Sequence, residues 1–151
     1  MRARITIIFA LVVGLGPASA IADLEIHKDY SLSDAVWGVT TVHVKSNMID
    51  AYLEGIKKTW LSQCEVQKSL EQVDDCTIYV SELPDSGDFN VVLMTKYRNG
   101  EMLAPDKARY DAFVTKFGAA QQKAGTQQAQ RDYPAMREIT GEYRLRALTM
   151  K

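Results

Sequence analysis

Between Val36 and Lys45 the chain alternates, with Val36, Gly38, Thr40, Val42 and Val44 on one side and Trp37, Val39, Thr41, His43 and Lys45 on the other. A period of two with β-branched enrichment predicts a strand. Both sides carry apolar residues, so both faces of the sheet are expected to be covered. Ser46-Asn47 then offers a cap, with Asp50 in the first turn, where the helix dipole favours negative charge. Ile49, Leu53, Ile56, Trp60 and Cys64 recur at steps of four, three, four and four, which predicts a helix over about 48–70 with one apolar face.

Asp74-Asp75 marks a turn into a second strand, Cys76 to Ser81, and Pro84-Asp85-Ser86-Gly87 marks another before a third, Phe89 to Tyr97. The third strand is again apolar on both sides, with Phe89, Val91 and Leu93 set against Val92 and Met94. Pro105-Asp106 opens a helix whose stripe is Tyr110, Phe113, Val114 and Phe117. Gly118 interrupts it. Residues 119–132 are rich in Ala and Gln, which favour helix but offer little to bury, and read as an exposed, partly helical excursion with Gly125 as a weak point. A short helix, Pro134 to Ile139, then precedes a final strand, Glu142 to Met150.

The order strand, helix, strand, strand, helix, strand is the ferredoxin-like α+β plan: a four-stranded antiparallel sheet with its helices on one face. A sheet that is apolar on both sides needs a second cover, and a face-to-face homodimer supplies it most simply. The domain occupies 36–151, preceded by a polar leader over 21–35 that includes His27.

On the strand-to-helix passage VHVKSNMIDAYLEGIKKTW, the hairpin ending FNVVLMTKYRN and the closing REITGEYRLRALTM, the chain resembles the dimeric α+β barrel superfamily. In particular it resembles that superfamily's small secreted branch of uncharacterised proteins, over nearly all of the chain beyond the leader. The resemblance implies two subunits packed sheet to sheet. It implies no single reaction, because that fold hosts cofactor-free oxygenases, cyclases, isomerases, haem proteins and proteins without known activity.

The start of the chain bears on location. Arg2 and Arg4 precede an apolar run from Ile5 to Leu15, and Ala18-Ser19-Ala20 offers a small-x-small cleavage site, with Ala20-Ile21-Ala22 as a second. Residues 1–20 are therefore expected to be a signal peptide, the apolar run from Ile5 to Leu15 being too short for the roughly 20 residues a bilayer crossing needs. No cysteine stands at either cleavage site for lipid attachment. The expectation is an exported, soluble protein, periplasmic or extracellular, with no membrane anchor. Removing 1–20 leaves 131 of the 151 residues and takes the formal charge from −1 to −3. A weakly acidic chain of mixed charge lacks the clustered Lys and Arg of a nucleic-acid binder, and no basic amphipathic stretch suggests a membrane surface.

His43 is the natural candidate for general acid/base work, since imidazole titrates near neutral pH. Strand order predicts it near Phe89 or Asn90 and near Tyr143, its candidate catalytic partner on a small carbonyl or phenolic ligand. The simpler reading is a hydrogen-bonded histidine at a strand end or dimer interface. Trp37 is expected to approach Tyr97, with Tyr79 across the hairpin, and with Trp60 these rings would wall a ligand cavity or serve as ordinary core. Arg98 would hold a ligand carboxylate or stand exposed without a function. Arg144 and Arg146 point the same way on the last strand, as an anion-binding pair or, more simply, as charges that discourage edge pairing.

No metal site is predicted, because His27 and His43 share no ligand spacing with each other or with the cysteines. A phosphate loop, a nucleophile elbow and a Cys-x-x-Cys pair are also missing from the sequence. No cofactor is implied, and a haem reading would rest on His43 alone. Cys64 stands about 9 Å before the end of its helix, and the returning strand brings Cys76 toward it. An oxidising compartment then favours a Cys64–Cys76 disulfide over two buried thiols.

The resulting functional expectation is a small organic ligand in a pocket between sheet and helices, with cofactor-free acid/base chemistry as an extension. The alternative is a non-catalytic envelope protein acting through protein contacts.

Overall fold

The computed structural model describes residues 24–83 and 85–151, so the signal peptide and cleavage sites expected near the start lie outside the described residues. The first predicted strand is β2 (Val36–Val44), preceded by a short β1 (Tyr30–Leu32). A helical stretch follows, built from α1 (Ile49–Ile56), a π turn (Lys57–Leu61) and α2 (Ser62–Ser69). The hairpin is β3 (Asp75–Val80) and β4 (Val91–Tyr97). After a 3₁₀ turn (Gly100–Leu103) come α3 (Lys107–Phe117), α4 (Ala119–Met136), β5 (Arg137–Leu145) and β6 (Leu148–Met150).

The main sheet has the order β3-β4-β2-β5, antiparallel throughout. Its connectivity is the ferredoxin-like βαββαβ plan, with the first and third strands of that unit, β2 and β4, at the centre. Val42, Val44 and Val91 face the helices and bury against Tyr52 and Ile56 of α1 and Tyr133 of α4. Because side chains alternate along a strand, this fixes the other positions. Gly38 and Thr40 share the helix side, whereas Trp37, Val39, Thr41 and His43 belong to the opposite face.

The π turn answers the spacing of the first helix. Steps of four from Ile56 to Trp60 to Cys64 overshoot a turn of about 3.6 residues, and the wider turn absorbs the extra residue. Thr59 anchors it by donating its hydroxyl proton to the Gly55 carbonyl at 3.0 Å. Ahead of α1, Asn47 does not cap through its side chain. It adopts a left-handed conformation (φ 68°), which asparagine tolerates, to turn the chain, and Met48 takes the cap position without a side-chain bond. At α3, Asp106 rather than Pro105 starts the helix, accepting a bond from the Arg109 backbone N–H at 2.9 Å.

Three sequence expectations are corrected. Residues 119–132 are largely exposed as expected but wholly rather than partly helical: α4 is continuous through Gly125, which lies beside Thr59 and Gln63, and its Tyr133 reaches the core. The break falls at Gly118, as expected, and its φ of 92° favours glycine. The short helix expected over 134–139 is absent from its second half, because Arg137, Glu138 and Ile139 already pair with Val44, His43 and Val42. The final strand is accordingly split, with β6 leaving the main sheet to pair with β1, so part of the stretch read as a leader is regular.

Candidate functional site

One irregularity in β5 shapes the site. Ile139 pairs with Val42 and Gly141 with Thr41, so Thr140 is an extra residue, a β-bulge. Beyond it the side-chain phase of β5 reverses. Glu142 and Arg144, opposite Thr40 and Gly38, turn toward the helices, while Tyr143 and Leu145, opposite Val39 and Trp37, turn away.

Between this part of the sheet and the helices lies an open cleft of about 590 Å³. Thr40, Leu93, Thr95 and Tyr97 line its floor, Trp60 of the π turn and Leu103 of the 3₁₀ turn form its walls, and Glu142 and Arg144 stand along one side. The local sequence explains each wall. Asn99 accepts bonds from the backbone N–H groups of Glu101 and Met102, fixing the 3₁₀ turn that carries Leu103. Gly38 leaves room at the floor, where the Tyr97 ring lies 3.5 Å from the point a β-carbon would occupy. Burial pushes the Tyr97 phenol above its ordinary pKa, and the nearby Arg144 guanidinium opposes that shift.

Of the predicted ligand-binding residues, Trp60 and Tyr97 meet in this cleft. Trp37 and Tyr79 do not join them. Trp37 lies opposite Lys96, whose ammonium sits 5.5 Å from the indole centre, and the exposed Tyr79 lies opposite Val92, both on the far face of the sheet. Arg98 is engaged elsewhere: it donates to the Glu71 carbonyl at 3.1 Å and pairs with Asp74 at 3.7 Å, tying the end of β4 to the turn after α2.

The expected pairing of His43 with Tyr143 is corrected by the register. His43 lies opposite Glu138 and Tyr143 opposite Val39, because β5 begins at Arg137 and then bulges. The Tyr143 ring folds over Gly141, occupying the space a side chain there would need, and Tyr143 also borders the cleft. Asn90, expected beside His43, brackets the neighbouring residue: its side chain accepts from Val44 N–H and donates to Val44 C=O, both at 2.8 Å.

Cys64 and Cys76 are joined in a disulfide that ties α2 to β3, their Cα atoms 6.4 Å apart. The sheet face away from the helices carries Trp37, Met94, Tyr79, Tyr143 and Leu145, and the last three are about half exposed. Among the described residues no group of three His, Cys, Asp or Glu side chains gathers as a metal site, and no helix is long and apolar enough to cross a membrane.

No protein-family model matches the chain, and no curated protein matches it. Solved structures similar to it include HapK from Hahella chejuensis, at 15% identity over 73% of this chain and 90% of that one, with a TM-score of 0.45. Another is a NIPSNAP family protein of unknown function from Agrobacterium tumefaciens, at 16% identity over 78% and 89% of the two chains, TM-score 0.45. A third is a dimeric protein of unknown function and ferredoxin-like fold from Bacteroides fragilis, at 7% identity over 80% and 99%, TM-score 0.41. These are similarities of chain path at low identity, and the fold assignment above stands on the strand order itself.

Proposed function

We propose that the protein binds a small organic molecule in the cleft between sheet and helices, as an exported homodimer whose subunits cover each other's open sheet face. The observation that carries the binding reading is the cleft of about 590 Å³ walled by Trp60, Tyr97, Leu93 and Leu103. Its volume falls within the roughly 300–1,000 Å³ of small-molecule sites, and its mix of apolar walls with a few polar groups is typical of them. The dimer is supported by the half-exposed aromatic and aliphatic side chains on the far sheet face, which water disfavours. Export is supported by the basic and apolar start of the chain and by the disulfide. The reading is one of binding rather than acid/base catalysis, because His43 and the Tyr143 ring belong to the other face of the sheet.

The test is a crystallographic fragment soak of the purified protein together with sedimentation velocity. Fragments held between Trp60 and Tyr97 would support the cleft, and a dimer packed through Trp37 and Met94 would support the assembly. A cleft that takes no fragment, filled by its own side chains, would sink the binding reading. A monomer in dilute solution would sink the homodimer and favour a different protein as the cover of that face.

A further inference from the structure

Arg144 beside the cleft and Arg146 in the cavity next to it carry guanidinium groups without an ion pair among the described residues. Arg144 lines both the cleft and a second cavity beside it, of about 660 Å³, whose walls include Leu32, Val36, Leu103, Ala104 and Arg146. Leu103 is also common to both, so the two cavities adjoin. Among the described residues, Arg98, Arg109 and Arg131 each pair with a carboxylate, whereas Arg144 and Arg146 make no ion pair. Glu142 reaches only the first cavity, and no acidic side chain lines the second.

Arg146 is held in place. Its Nη1 donates to the Ser33 carbonyl at 3.3 Å, and its Nη2 lies 2.9 Å from where a β-carbon at residue 100 would stand. Both guanidinium groups are exposed, and unpaired cations beside apolar walls attract an anion that brings apolar surface of its own. Guanidinium is suited to this because its fork of donors matches a carboxylate.

Building on the binding reading above, we propose that the double cavity takes an organic carboxylate with an apolar body. Its carboxylate lies between Arg144 and Arg146, and its body runs past Leu103 into the space bounded by Trp60 and Tyr97. The bulge at Thr140 is what makes this possible, since without it Arg144 would sit on the far face and Tyr143 would turn toward the helices.

Two fluorescent probes with the same ring system separate the ideas: pyrenebutyrate, a carboxylate, and pyrenebutanol, its uncharged counterpart. The purified protein is expected to bind the acid on the order of tenfold more tightly than the alcohol at low salt, with the margin shrinking as salt rises. In Arg144→Gln, and in Arg144→Gln/Arg146→Gln, that preference should disappear while the alcohol binds as before. Leu103→Trp, which fills the junction of the cavities, should weaken both probes. Circular dichroism melting curves check that each variant folds, and Arg144→Gln alone keeps the test available should loss of Arg146 disturb the Ser33 contact. Equal binding of acid and alcohol, or a preference that survives Arg144→Gln, would overturn the carboxylate while leaving the cleft as a binding site. Failure of both probes to bind, or binding that ignores Leu103→Trp, would overturn the cleft reading and this inference with it.

Discussion

The hydroxyl oxygens of Tyr133 and Thr59 lie 2.6 Å apart, and both residues are buried. Thr59 gives its single hydroxyl proton to the Gly55 carbonyl, so Tyr133 is the donor in the shared bond. The tyrosine ring meanwhile packs onto Gly55, where a β-carbon would stand only 2.9 Å from its Cε1. Helix α4 is thereby fastened to the π turn that carries Trp60. Tyr133→Phe keeps the ring and removes the bond, and should lower stability by about 1–2 kcal/mol in urea unfolding. Gly55→Ala should be destabilising as well, since the buried ring has to move. Wild-type stability in both variants would show that this junction is not what holds α4 down.

Asn90 acts as a piece of strand. Its side chain bonds to both backbone groups of the buried Val44, extending the pairing of β2 beyond the first residue of β4. Asn90→Ala leaves a buried donor and a buried acceptor without these partners and is expected to cost about 3 kcal/mol. Chemical denaturation measures this, and a loss below about 0.5 kcal/mol would mean that water replaces the amide freely.

Tyr52 gives the fold an alkaline limit. Burial pushes its phenol up to about 12, with Tyr133 adding to the shift and Arg137 opposing it. An unfolded tyrosine ionises at about 10, so between these values the unfolded chain releases a proton that the folded one keeps. The stabilising contribution is fully present below pH 10 and is lost as the pH rises toward 12, at roughly 1.4 kcal/mol per pH unit within the window. Urea midpoints measured through this range should fall more steeply for the wild type than for Tyr52→Phe. Parallel slopes would contradict the assignment.

The disulfide closes a short loop, its cysteines separated by 12 residues. Constraining the unfolded chain this way contributes about 3 kcal/mol. Reduction should lower the melting temperature, and Cys64→Ala/Cys76→Ala should match the reduced protein. An unchanged melting temperature on reduction would show that packing of the helix on β3 is sufficient without the bond.

Sequence and structure agree most closely where one local signal has one reading. The alternation of 36–45, the apolar series from Ile49 to Cys64 and the hairpin flanking Pro84 all correspond to observed elements, with their ends shifted by a residue or two. Agreement fails along 119–145. Ala-rich and Gln-rich helix carries little apolar pattern, so the burial of Tyr133 and Ala129 that makes α4 continuous is not visible in it. The candidate site was legible in part: Trp60 and Tyr97 face the cleft, whereas His43, Trp37 and Tyr79 belong to the opposite face.

From Val36 to Phe117 the sequence by itself determined which segments are strands and helices, and that the central strands are apolar on both sides, because backbone periodicity and side-chain polarity are local properties. Which side of β2 meets the helices was decided only in three dimensions, since two apolar faces are equivalent until one is covered. The bulge at Thr140 was decided there too. It depends on pairing with a strand about a hundred residues earlier, and by reversing the phase of β5 it turns Tyr143 out and brings Arg144 to the cleft.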